Sequence, residues 1–124
     1  MLPGTLAPHV KKIEAVIPPS RVDVVRAELA RRGLWGQSTL TDVLQGQINE
    51  ISIRNEQRTT VSLVSRIKIE LVVADHQVDK AVQVILRHAV GDPSATGVDE
   101  DHGHLMLLHI DEILRIAPPE TENP

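Results

Sequence analysis

The chain has 124 residues, 41% of them hydrophobic, with a formal net charge of −4, no cysteine and a single aromatic residue, Trp35. One core that buries about two-thirds of the unfolded surface is within reach of this length, whereas the negative charge and missing aromatics argue against nucleic acid as a partner. The lack of cysteine excludes a disulfide framework, a thiolate zinc site and a cysteine nucleophile, and fits a reducing compartment.

Residues 1–10 carry two prolines and a glycine and read as an irregular extension, without the basic segment and long apolar stretch of a secretory signal. No apolar run approaches the roughly 18 residues of a membrane span, so a cytoplasmic protein is expected. Lys12 to Ile17 reads as the first strand. Pro18 and Pro19 stop it, and Ser20, with Asp23 three residues on, is placed to cap a helix. Val22, Val25 and Leu29 recur at helical spacing and would face a sheet, Arg26, Arg31 and Arg32 would stay in water, and Gly33 ends the helix. Thr39 to Leu44 reads as a second strand. The polar stretch from Gln45 to Thr60 then shows no regular period and reads as a long loop, a class of segment that is commonly functional or disordered.

From Val61 the pattern sharpens. Val61, Leu63, Ile67, Ile69, Leu71 and Val73 alternate with mostly polar neighbours, which predicts a long strand with one buried face. Asp75 is placed to cap a second helix, along which Val78, Ala81, Val82, Ile85 and Ala89 form an apolar stripe, and Gly91 to Pro93 ends it. A loop from Ser94 to Gly103 leads to a strand over His104 to Ile110, and residues 118–124 read as a disordered tail. The first strand and helix resemble the later ones: Ile13, Glu14, Val16, Val22 and Asp23 repeat as Ile69, Glu70, Val72, Val78 and Asp79. A duplicated unit in the order β-α-β-β-α-β predicts an α+β, ferredoxin-like fold spanning 11–117, with an antiparallel sheet, two helices on one face and a bare aliphatic second face that invites oligomerisation.

Lys11-Lys12-Ile13-Glu14-Ala15-Val16-Ile17, the helix end Leu29 to Gly36, the strand Thr39 to Val43, and above all Arg66-Ile67-Lys68-Ile69-Glu70-Leu71-Val72-Val73-Ala74-Asp75 closely resemble the PII signal-transduction family. The resemblance runs from Lys11 to Ile116. It implies a homotrimer, adenine-nucleotide sites in the clefts between subunits, and a long loop after the second strand, here 45–60, that docks onto a target transporter or enzyme.

Carried over residue by residue, the resemblance puts Thr39 against adenine. It matches Thr96, Gly97 and Gly103 to a glycine-bearing phosphate loop, and Arg115 to the first of two arginines near the phosphates. His104 stands where that loop's lysine is usual, Ala117 replaces the second arginine, and Asp99, Glu100 and Asp101 add carboxylates. Fewer cations and more anions penalise the most highly charged ligand most, so ADP or AMP is expected to compete with ATP or to surpass it. With no tyrosine in the chain, uridylylation at the family's loop tyrosine is excluded. The glycine-rich run at the loop base survives as Gly46-Gln47, and Arg66 replaces the lysine that meets 2-oxoglutarate in the family. A guanidinium fork still suits a small planar anion, and some divergent relatives respond to bicarbonate in inorganic-carbon uptake and carboxysomes.

Each assignment has a plainer counterpart. Arg66 reads equally well as a solvated strand residue, Arg115 as a surface charge, Thr39 as an ordinary strand former, the Asp99 to Asp101 run as a solvated loop, and Trp35 as a packing anchor. His102 and His104 with Asp99 and Asp101 raise an alternative, a trimeric metal-binding protein similar to the CutA cation-tolerance family, since histidines two apart on a strand point the same way. An ACT-like amino-acid-binding module is a further alternative. No nucleophile, base and orienting group come together at recognisable spacing, so no enzymatic activity is expected.

Overall fold

The computed structural model describes residues 9–91 and 102–119. Strand β1, Val10–Ile17, leads through a single 3-10 turn, Pro19–Arg21, into helix α1, Val22–Arg31; β2, Ser38–Ile53, and β3, Glu56–Ala74, form one long hairpin; a second 3-10 turn, Asp75–Gln77, opens helix α2, Val78–Ala89; and β4 covers His104–His109. The four strands form one antiparallel sheet in the order β2-β3-β1-β4, and the helices pack on one of its faces. The α+β, ferredoxin-like order read from the duplication is the order observed.

The core lies between that face and the helices. Ile13, Ala15 and Ile17 from β1 and Ile69, Leu71 and Val73 from β3 meet Val25 and Leu29 of α1 and Val78, Ala81, Val84, Ile85 and Ala89 of α2. Leu29 and Ile85, equivalent positions in the two copies, are both buried. Helix α1 ends in a glycine cap: Gly33 sits at φ 70°, its N–H donates to the Ala30 carbonyl, and the Leu34 N–H reaches back to Leu29 at 2.9 Å. Buried Leu34 completes the cap from below.

Three local expectations are corrected. Ser20 lies inside the 3-10 turn, which Pro19 opens at a position its fixed φ suits, and α1 starts at Val22 with Arg21 at its N-cap and no side-chain cap. Asp75 likewise falls within a 3-10 turn, and no side chain caps α2. The largest correction concerns residues 45–60, which are not an irregular loop. Pairing continues without a break from Ser38 opposite Leu71 to Ile53 opposite Glu56, and only Arg54 and Asn55 turn the chain, at φ 53° and 65°. Two successive left-handed residues make the turn whose twist matches a two-stranded ribbon. Polar side chains hide a strand when no core imposes an alternation on it, and the ribbon has no core.

Candidate functional site

The sheet face opposite the helices carries Lys12, Glu14 and Val16 from β1, Lys68, Glu70 and Val72 from β3, Thr39 and Thr41 from β2, and His104 and Met106 from β4, as strand alternation and register require. This face is not the aliphatic surface that the strand pattern implied, since its centre is charged. Glu14 and Glu70 lie directly opposite each other, an arrangement that repels. Lys12 resolves it, with its Nζ 2.9 Å from Glu14 and 2.6 Å from Glu70, and Lys68 approaches Glu70 at 3.5 Å. The hydrogen bond from Lys12 holds the Glu70 carboxyl below its ordinary range, and the same contact pushes the Lys12 ammonium up.

Beside this network runs a groove of about 530 Å³ whose lining includes Lys12, Gln37, Thr39, Glu70, Val72 and Ile113. Thr39 faces Glu70 across β2 and β3. The chain after β4 crosses back to this groove, where Ile110, Glu112 and Ile113 join the lining, and exposed Arg115 follows two residues later.

Gly103 and His104 stand at the other margin of the sheet. Gly103 has φ 106°, and a Cβ there would lie 1.8 Å from the Val16 carbonyl oxygen, so only glycine permits this close approach of two backbones. His104 is exposed and pairs with Val16. Thr39 on β2 and His104 on β4 occupy opposite edge strands, three strand spacings or about 14 Å apart. The fold therefore brings Thr39 towards the Arg115 segment but keeps both margins of the sheet separate within one chain. Thr96 and Gly97 lie outside the described residues, as do Asp99 and Asp101 of the metal alternative. Among the described residues no group of three metal-ligating side chains comes together.

At the base of the ribbon, Arg66 is buried, which removes the solvated-surface reading. Its Nε donates to Gln45 Oε1 at 3.1 Å and its Nη1 to the Ser65 carbonyl at 3.3 Å. Gly46 and Gln47 pair instead with Leu63 and Ser62. The residue missed from the sequence is thus Gln45. Its signal was geometric: Arg66 faces Val43, and a residue two positions along the same strand sits diagonally across from it, within reach of a long side chain. Reading the segment as a loop concealed that register.

The model of the family described as "Nitrogen regulatory protein P-II" matches residues 10–120. The nitrogen regulatory protein P-II of Pasteurella multocida (strain Pm70) is 31% identical over 112 residues, 89% of this chain and 94% of the relative. That of Klebsiella oxytoca is 32% identical over 115 residues, 91% and 96% of the two chains. Among solved structures, a Bacillus subtilis GlnK–ATP complex superimposes with a TM-score of 0.66 at 20% identity, covering 85% of this chain and 87% of that one. An Arabidopsis thaliana PII bound to citrate gives 0.65 at 22% identity, covering 89% and 82%. At those identities the structures support the fold, and the sequence relatives carry the family. No helix among the described residues is long and apolar enough to cross a membrane. The chain belongs to the nitrogen regulatory protein P-II family.

Proposed function

We propose that this chain is a cytoplasmic, adenine-nucleotide-binding regulator whose sites form between the subunits of a homotrimer, and that its β2–β3 ribbon carries the signal to a transporter or enzyme. The observation that carries this reading is the separation of Thr39 from Gly103 and His104 on opposite margins of one sheet. A ligand that uses both margins needs a second chain, whose β4 margin meets the Thr39 groove of the first. The charged network around Lys12 and Glu70, half-buried at the centre of the uncovered face, suits burial against its own symmetry mates. A GlnK relative of the same fold binds ATP, in keeping with a nucleotide as the ligand.

With His104 in place of a permanent cation and Arg115 as the arginine near the phosphates, ADP or AMP binds at least as tightly as ATP. Buried Arg66, with Gln45 beside it and Gly46 and Gln47 further along β2, reads a small planar anion such as bicarbonate through its guanidinium fork. Isothermal titration of ATP, ADP and AMP into the protein, alongside sedimentation equilibrium, tests the reading. The expected results are a trimer, ADP or AMP matching ATP, and a loss of roughly 1.5 to 3 kcal/mol on Arg115→Ala. A monomer without nucleotide binding, or clear preference for ATP, contradicts it.

A further inference from the structure

The hairpin has two unlike faces. Leu44 is 64% exposed, Ile48 72%, Val61 70% and Leu63 67%, and all four point to the same side, because Ile48 faces Val61 while Gly46 faces Leu63 and leaves space between Leu44 and Ile48. The opposite side, at the same level, bears Gln45, Gln47 and Asn49, the last hydrogen-bonded to Ser62. Exposed Ile51 and Ile53 also lie on that opposite side, towards the tip, but the aliphatic surface at the level of Leu44 to Ile48 is contiguous on the first side, and a contiguous exposed patch marks an interaction surface.

Two further features define what covers it. Strand β2 is the edge of the sheet, with β3 on one side and no strand among the described residues on the other. Ile53 and Glu56 flank a two-residue turn and so form a hydrogen-bonded pair, which means that the even-numbered residues of β2 direct their backbone N–H and C=O groups outward. An edge of this length is commonly guarded by lysine, proline or a bulge. This one has none: the only charges on β2 are Asp42 and Glu50, both acidic, both on the aliphatic side, and they bracket Leu44, Gly46 and Ile48 at its two ends.

We propose that the outer edge of β2 takes up an extended segment of a partner protein as an added strand, and that this segment carries aliphatic residues at three alternate positions with a basic residue at each end. The added strand supplies backbone partners to Leu44, Gly46, Ile48 and Glu50, its aliphatic side chains continue the Leu44 to Leu63 surface, and its cations meet Asp42 and Glu50 about 27 Å apart. The inference rests on the ribbon being the signalling element and names the chemistry of what it engages.

The test uses a labelled nine-residue peptide with lysine at both ends, valine at the third, fifth and seventh positions and threonine elsewhere, titrated into the full chain by fluorescence anisotropy, with amide exchange followed on β2. Saturable binding is expected, with slowed exchange at Leu44, Gly46 and Ile48 and a loss of at least about tenfold in affinity for Ile48→Lys. The double variant Asp42→Lys, Glu50→Lys is expected to reject the lysine peptide and to accept its glutamate-ended counterpart, a swap that a merely structural role would not produce. No saturation, unchanged exchange on β2, indifference to the charge swap, or protection of β2 by self-association before peptide is added overturns the proposal. Nucleotide titration is read separately: binding of nucleotide without peptide leaves the functional reading standing, and the reverse outcome leaves only the edge.

Discussion

Strand β3 crosses two environments without interrupting its ladder. From Ile67 to Val73 its alternate side chains enter the core beneath α1 and α2, whereas from Glu56 to Leu63 every residue is exposed, although Val61 and Leu63 continue the same alternation. Pairing with β2 is regular through both halves. Backbone hydrogen bonding therefore does not distinguish them; what lies over the sheet does. Half of this hairpin builds the domain, and the other half projects beyond it as a surface.

Truncating the same kind of side chain in the two halves should separate them most sharply. Ile69→Ala or Leu71→Ala removes a fully buried side chain and is expected to lower stability by about 2 to 5 kcal/mol in denaturant unfolding, while Val61→Ala and Leu63→Ala should stay within about 0.5 kcal/mol. A large cost at Leu63 would show that the ribbon is covered in the free protein.

Glycines give the next contrast. Gly103→Ala drives a Cβ into the Val16 carbonyl at a left-handed φ and is expected to cost at least about 2 kcal/mol. In contrast, Gly46→Ala meets nothing within 4 Å, and should be neutral or mildly stabilising by thermal melting. A severe effect at Gly46 would mean that its backbone is not free to carry a side chain on the aliphatic face.

Acid should act on the domain half. Hydrogen bonds from Arg32 and Arg31, at 2.6 and 2.8 Å, hold Glu28 down to about 2 from 4.5, and Lys12 holds Glu70 below its ordinary value. A carboxyl whose folded pKa is depressed contributes stability above its unfolded pKa and loses it as pH falls through the folded value. Stability is thus expected to decline from about pH 4.5 towards 2, and Glu28→Gln should flatten that decline. An unchanged pH profile in this variant would show that the Glu28 contacts do not persist in solution.

The smallest effect is at the ribbon tip. Arg54→Asn with Asn55→Gly places the preferred turn residues at two left-handed positions, and should slow amide exchange along the ribbon by about 1 kcal/mol or less while leaving global melting nearly unchanged. A matching rise in global stability would tie the ribbon to the core cooperatively.

How legible each half was follows from the same contrast. The core half announced itself because burial enforces periodicity: Val25 and Leu29, then Val78, Ala81, Ile85 and Ala89, repeat at helical spacing, and Ile69, Leu71 and Val73 alternate. The duplicated Ile13-Glu14 and Ile69-Glu70 pairs even placed the two central strands, although not the repulsion between Glu14 and Glu70 that Lys12 relieves. The ribbon was illegible because Gln45, Gln47 and Asn49 pair by backbone and need no apolar face, so Arg66 was seen without its Gln45 partner. Val61 and Leu63 misled in the opposite direction, since alternation marks a strand but does not say what covers it. Thr39 and His104 belong to the second and fourth strands of the order read from the duplication, and that order puts them on opposite margins of the sheet, a consequence that residue-by-residue matching does not draw.

That separation is also the point most open to direct attack. Thr39→Lys and His104→Glu each disable one margin, so trimers of either variant alone should bind no ADP in isothermal titration. When the two variants are co-refolded in equal amounts, a site shared between chains regains function wherever an intact Thr39 margin meets an intact His104 margin, and about one quarter of the sites should bind again. Recovery near that fraction is the predicted result; no recovery from a mixture shown to exchange subunits would place the whole site within one chain and contradict the shared-site reading.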